Sequence, residues 1–188
     1  MTGRVSSGMK GLDKVVQGGF PEGSVILISG APGTGKTIFG MQFLEEGMKK
    51  GEKCAYVTIE EPPEKILRQA EQFGFFKDAP KMISARDIKY DIGMKKPVDI
   101  EDKIKLIEDK LKKVKPSRVV VDSLSSLNIE DGLKTRGLIR KLFEALNSLG
   151  TTAVVTSEMA KESEWYSRDT ISEFLADGII VLATIPGE

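Results

Sequence analysis

The sequence contains no histidine and a single cysteine, Cys54, in 188 residues. Without histidine, every catalytic triad built on an imidazole base is excluded, and so are zinc sites of the Cys/His kind. One cysteine also excludes an intramolecular disulfide. Chemistry is left to carboxylates, lysines, hydroxyls and backbone amides. Cys54 stands between Lys53 and Ala55 at the start of an apolar run, the setting of a small buried side chain rather than of a reactive thiol.

A surplus of charge is missing too. Lys+Arg and Asp+Glu both total 28, so the formal net charge is zero and no overall pull toward nucleic acid or an anionic membrane follows. No apolar run reaches the roughly 18 residues that a membrane span needs. The segment from Met1 to Val5 lacks the apolar stretch of a secretory leader. A cytoplasmic protein with no membrane segment is expected. A chain of 188 residues should hold one core, since single cores stop growing at roughly 250 residues.

What is present is alternation. Short runs rich in Val and Ile are each followed by a stretch with helical spacing, the pattern of a mostly parallel sheet flanked by helices in three layers. Strands are expected at Ser24–Ser29, Lys53–Ile59, Lys81–Ala85, Arg118–Asp122, Thr151–Thr156 and Gly178–Ala183. Helices are expected at Thr37–Lys50, Pro63–Phe73, from an N-cap at Asp99 to about Lys115, Lys134–Leu149 and Ile171–Ala176. Ile38, Met41, Phe43, Leu44 and Met48 offer the first helix an apolar face. Arg86–Val98 and Glu158–Asp169 read as loops.

Between the first strand and its helix stands GAPGTGKT, from Gly30 to Thr37, a full match to GxxxxGK[ST]. Its glycines let the backbone wrap close to phosphate oxygens, so that successive N–H groups form an anion nest at a positive helix N-terminus. Lys36 adds a compact charge for the β- and γ-phosphates, and Thr37 a hydroxyl for Mg²⁺. Residues assigned to the nucleotide are Gly30, Ala31, Pro32, Gly33, Thr34, Gly35, Lys36, Thr37 and Ile38. A Rossmann fingerprint fits less well, because its glycines need another spacing. Asp122 closes the apolar strand RVVVD, where a carboxylate holds a water on Mg²⁺, making Thr37 and Asp122 the metal-site candidates.

Hydrolysis also needs a group that orients and deprotonates water, and with no histidine a carboxylate is the natural choice. Glu60 and Glu61 end the strand KCAYVTI at the sheet edge that carries the phosphate loop, where open α/β sheets bind ligands. Glu61 also precedes a helix, where its charge complements the dipole. Thr156, Ser157 and Glu158 follow the strand TTAVVT and either sense the γ-phosphate or act as turn residues.

These residues resemble the KaiC-like branch of the RecA/RadA superfamily of ATPases. SGMKGLD from Ser7 to Asp13 and GGFPEGS from Gly18 to Ser24 are similar to the segment that precedes the phosphate loop in that family. VTIEEPPEKI carries the paired glutamates of KaiC-like domains, where RadA-type recombinases show one. RVVVDSLSSL, TTAVVTSE, and Arg168 with EFLADG from Glu173 to Gly178 resemble the segments that follow. The resemblance implies a RecA-like core over residues 1–188 as one domain lacking the family's C-terminal strands. It also implies ATP hydrolysis with Mg²⁺, and assembly into a homo-oligomeric ring with ATP at subunit interfaces. Glu60 takes the general-base position, Glu61 a supporting one, and Lys36 the phosphate charge.

The leading expectation is a slow regulatory ATPase acting on a protein partner not identified by the sequence. Two alternatives stand beside it. A RadA-paralogue-like recombination ATPase would bind DNA through the loops after Asp122 and Thr156. Those loops are neutral and acidic, however: Lys134 and Arg136 face Glu130 and Asp131, and Lys161 and Arg168 face Glu158, Glu162, Glu164 and Asp169. The other alternative is an ATP sensor with little turnover that drives a partner through loop ordering.

Overall fold

Runs of β-branched residues fit a pleated surface buried on both faces, and the chain's apolar runs pair accordingly. A computed structural model describes residues 3–59, 61–76, 80–84, 100–127, 132–159 and 166–184. The strands are β1 (Arg4–Val5), β2 (Phe20–Pro21), β3 (Val25–Gly30), β4 (Cys54–Thr58), β5 (Lys81–Ser84), β6 (Arg118–Asp122), β7 (Thr152–Glu158) and β8 (Gly178–Leu182). The helices are α1 (Lys10–Val15), α2 (Lys36–Lys49), α3 (Pro63–Gln72), α4 (Ile100–Val114), α5 (Gly132–Ser148) and α6 (Ser172–Leu175), with a 3₁₀ turn at Leu124–Leu127.

Six strands form one sheet in the order β5-β4-β6-β7-β3-β8. Every pairing within it is parallel. Alternation along the strands sends side chains to two cores. Ala55, Val57, Val119, Val121, Ala153 and Val155 meet Ile104, Ile107 and Leu111 of α4 and Leu142, Phe143 and Leu146 of α5. Ile26, Ile28, Tyr56, Val120 and Val154 meet Phe39, Met41, Phe43 and Leu44 of α2 and Ile66 and Ala70 of α3. The result is the expected three-layer α/β architecture.

Helix α2 lies close against the sheet because two of its contact positions are glycine. A Cβ at Gly40 would stand 2.8 Å from Val120 Cγ1, and one at Gly47 would stand 2.6 Å from Arg118 Cδ. The buried face of α2 therefore includes Phe39, Gly40 and Gly47, while Ile38 and Met48 are only partly covered.

Several boundaries move. The first sheet strand begins at Val25, not Ser24, because the Ser24 hydroxyl donates to Pro21 O at 2.6 Å and closes the preceding turn. Strand β7 runs on to Glu158, so Thr156 and Ser157 lie within it and not after it. It can do so because β3 continues beside it, pairing Ser29 with Ser157 and Gly30 with Glu158. Helix α5 starts at Gly132, earlier than Lys134. Asp99, the loop Arg86–Val98 and residues 160–165 of the loop Glu158–Asp169 lie outside the described residues.

The segment before β3 forms elements that its composition did not announce. Strands β1 and β2 pair antiparallel, Arg4 with Pro21 and Val5 with Phe20. Between them, Asp13 Oδ1 accepts the Ser7 amide at 2.8 Å and the Ser7 hydroxyl at 2.6 Å, tying α1 to the turn before it.

Candidate nucleotide site

The site assembles at the C-terminal edge of the parallel sheet, where β3, β4, β6 and β7 all end. The chain leaves β3 at Gly30 and turns through Gly33 and Gly35, whose φ values of 83° and 93° are comfortable only for glycine. Helix α2 follows directly, and no side chain caps its N-terminus at Gly35. An uncapped first turn presents backbone N–H groups and the positive end of the helix dipole to an anion. Ala31, Pro32 and Gly33 are exposed, and Thr34 to Ile38 are half-buried.

The Lys36 ammonium folds over this loop, donating to Gly30 O at 2.8 Å and Ala31 O at 2.9 Å. Partial burial lowers its pKa from the usual lysine value, against which the charges of Glu158 and Asp122 act in the opposite direction. A lysine folded over a bare helix terminus is placed to meet a polyanion.

Thr37, one residue on, donates its hydroxyl to Asp122 Oδ2 at 2.9 Å. Tyr56 donates to the same oxygen at 2.6 Å, and Thr156 donates to Asp122 Oδ1. Tyr56 is fully buried, and that burial, followed by the charge and hydrogen bond of Asp122, keeps its phenol protonated well above pH 10. Thr37 and Asp122 bring two hard oxygen donors together beside the phosphate loop, a donor set that suits Mg²⁺. Among the described residues no group of three or more Cys, Asp or Glu side chains is gathered that could hold a metal by itself.

The other candidates are placed as follows. Glu60 lies outside the described residues. Before it, the Ile59 amide donates to Asp122 O at 2.9 Å, which lays Ile59 beside the end of β6. On the other side Glu61, just before α3, pairs with Lys65 of its first turn at 2.7 Å, and its carbonyl accepts the Thr58 hydroxyl. Thr156 is engaged with Asp122, while Ser125 accepts the Glu158 amide at 2.7 Å. Glu158 also pairs with Arg168 Nη1 at 3.2 Å. In the sequence Tyr56 is one more residue of the apolar strand KCAYVTI, with nothing local to mark its bond to Asp122.

Fold and loop together define a P-loop nucleotide-binding protein of RecA-like architecture. The family model described as "ATPase: KaiC" matches residues 5–186. The circadian clock protein KaiC3 of Synechocystis is 33% identical over 97% of the chain, which spans 38% of that relative's length. A UPF0273 protein of Pyrococcus horikoshii is also 33% identical, over 97% of the chain and 78% of its own length. The crystal structure of a KaiC-like protein from the same archaeon superposes with a TM-score of 0.81 at 32% identity, covering 96% of this chain and 81% of that one. The chain belongs to the KaiC family of ATPases. Among its described residues no helix is long and apolar enough to cross a membrane.

Proposed function

We propose that residues 1–188 act as one regulatory ATPase domain in the cytoplasm, binding Mg·ATP in the loop Gly30–Ile38 and hydrolysing it slowly. The observation that carries this reading is the Thr37–Asp122 bond at 2.9 Å, made at an uncapped helix N-terminus with Lys36 beside it. A lysine charge, a hydroxyl donor and a carboxylate meet at one helix N-terminus.

In this reading the amides of the loop and the Lys36 ammonium bind the β- and γ-phosphates, and Thr37 and Asp122 hold Mg²⁺. The ion, when bound, neutralises charge on the bridging phosphate oxygens. Glu60 orients water opposite the leaving group and takes its proton. Glu61 supports it from just before α3, where its pairing with Lys65 fixes the chain. Subunits associate as a ring with ATP between them. DNA is disfavoured, in keeping with the pairing of Arg168 to Glu158.

Glu60→Gln tests the reading. ATP binding by titration should persist while phosphate release falls by about 10²-fold or more. An unchanged rate removes Glu60 from the mechanism, and loss of both removes the nucleotide reading. Mass measurement with and without Mg·ATP checks ring assembly.

A further inference from the structure

Among the described residues Asp122 accepts three hydroxyls, of which one, that of Thr37, belongs to the phosphate loop. Thr37 and Tyr56 take Oδ2, at 2.9 Å and 2.6 Å, and Thr156 takes Oδ1. The Tyr56 contact follows from strand register. Strands β4 and β6 run parallel with Tyr56 beside Val120 and Thr58 beside Asp122. Two residues of strand advance about 6.6 Å, and the length of a tyrosine side chain covers that step on the face shared with Val120 and α2. A phenylalanine would fill the same core position. The hydroxyl, buried among apolar neighbours, is stabilising only because Asp122 accepts it.

A carboxylate oxygen offers two lone pairs. Among the described residues, Tyr56 and Thr37 fill Oδ2 and Thr156 takes one lone pair of Oδ1, leaving the second to a further donor. We propose that Tyr56 is a positioning residue for the metal site, holding Asp122 so that it accepts a hydrogen bond from water on Mg²⁺ and does not ligate the ion directly. The inference rests on the Mg·ATP reading above. Its consequence is selectivity. Mg²⁺ sheds water reluctantly and suits a carboxylate that acts through water, whereas Ca²⁺ takes carboxylate oxygens directly. Tyr56 therefore biases the site toward Mg²⁺.

The test uses the full chain with ATP and Mn²⁺ as the probe, followed by electron paramagnetic resonance, with Mg²⁺ and Ca²⁺ as competitors. In Tyr56→Phe, competition by Mg²⁺ should weaken about 10-fold, the lower end of the effect of removing a group that orients a metal ligand. Ca²⁺ should lose less, so the Mg²⁺/Ca²⁺ ratio falls, while ATP affinity measured in EDTA stays unchanged. Val154→Ala, a packing change on the same face that leaves the three hydroxyls in place, should not move the ratio. A folded Tyr56→Phe chain with an unchanged ratio overturns the role of Tyr56, as does an equal fall in Val154→Ala. Absence of any metal-dependent ATP binding by the unaltered chain overturns the Mg·ATP reading itself and this inference with it.

Should Tyr56→Phe fail to fold, a Tyr90→Phe, Tyr166→Phe chain grown with 3-fluorotyrosine reports on Tyr56 alone, since the sequence has three tyrosines. Adding Mg²⁺ to its ATP complex should shift the single fluorine resonance. No shift overturns the proposal.

Discussion

The Arg118 guanidinium, only 1% exposed, grips Glu52 with two nitrogens, Nε to Oε2 at 2.6 Å and Nη2 to Oε1 at 3.0 Å. Its Nη1 donates to Ser6 O at 2.7 Å and Phe43 O at 3.1 Å, and the cation lies 4.8 Å above the Phe43 ring. One side chain thus joins the N-terminal segment, α2, the turn before β4 and the start of β6. Removing its counter-charge leaves a cation that cannot reach water. Glu52→Gln should lower unfolding stability by about 1–3 kcal/mol, below the full cost of breaking a buried pair because the amide still accepts one bond and Glu52 is partly exposed. Urea denaturation checks this, and an unchanged midpoint would show that Arg118 is held by the carbonyls alone.

Gly47→Ala sets two effects of opposite sign against each other. Alanine is favoured over glycine inside a helix by about 1 kcal/mol. The new Cβ would stand 2.6 Å from Arg118 Cδ and Nε and 2.9 Å from Cys54 Sγ. Arg118 cannot swing aside without giving up Glu52 and the two carbonyls. Overpacking of about 1–3 kcal/mol should prevail, so the variant melts lower than the parent in a thermal scan. Gly11, around which a Cβ meets nothing within 4 Å, provides the comparison: Gly11→Ala in α1 should not destabilise.

The contrast between Arg118 and Gly30–Thr37 shows what a single sequence discloses. The phosphate loop is legible because spacing, glycine content and flanking periodicity are all local, and the alternation of apolar runs gave the layer order in the same way. Nothing local marks the role of Arg118 at the head of the strand RVVVD, since its three partners, Glu52, Ser6 and Phe43, come from distant parts of the chain. Tyr56 escapes notice for the same reason: its hydroxyl matters only once β4 lies against β6. Strand β7 outruns its expected end at Thr156: Ser157 and Glu158 are polar, and that polarity does not end the strand, which β3 continues to pair. The strands β1 and β2 are two residues each, too short for any period to register.

Cys54 should behave as an inert thiol. It is buried, its Sγ lies 3.6 Å from Leu44 O, and burial pushes its pKa up from 9.0 to about 12, against the partial opposition of Arg118. Thiolate is the reactive form, so at pH 8 a disulfide reagent should modify the native chain far more slowly than the urea-unfolded chain. The folded pKa is raised, so the unfolded chain loses the proton first as pH rises above 9. Stability from this group is complete below pH 9 and is lost progressively toward about 12. Cys54→Ala should therefore show a shallower alkaline decline in unfolding stability than the parent. Rapid native labelling at pH 8, or parallel alkaline declines, would contradict the buried environment.

Lys36 links the geometry of the loop to its charge state. Its ammonium is bound by two carbonyls of its own loop and is partly desolvated, which lowers its pKa below 10.5. Replacing it with Met keeps the stem and removes the charge. ATP affinity should fall about 10- to 100-fold, the loss of one or more charge-assisted phosphate bonds. Titration of the wild-type chain adds a second, independent signature. The free protein's Lys36 must be protonated to attract phosphate, so ATP affinity should decline as pH rises through its lowered pKa, with a break below 10.5. Lys36→Met, having no proton to lose at that position, should show weak binding without that break. A break of equal size in both chains would assign the titration to another group and leave Lys36 with a packing role.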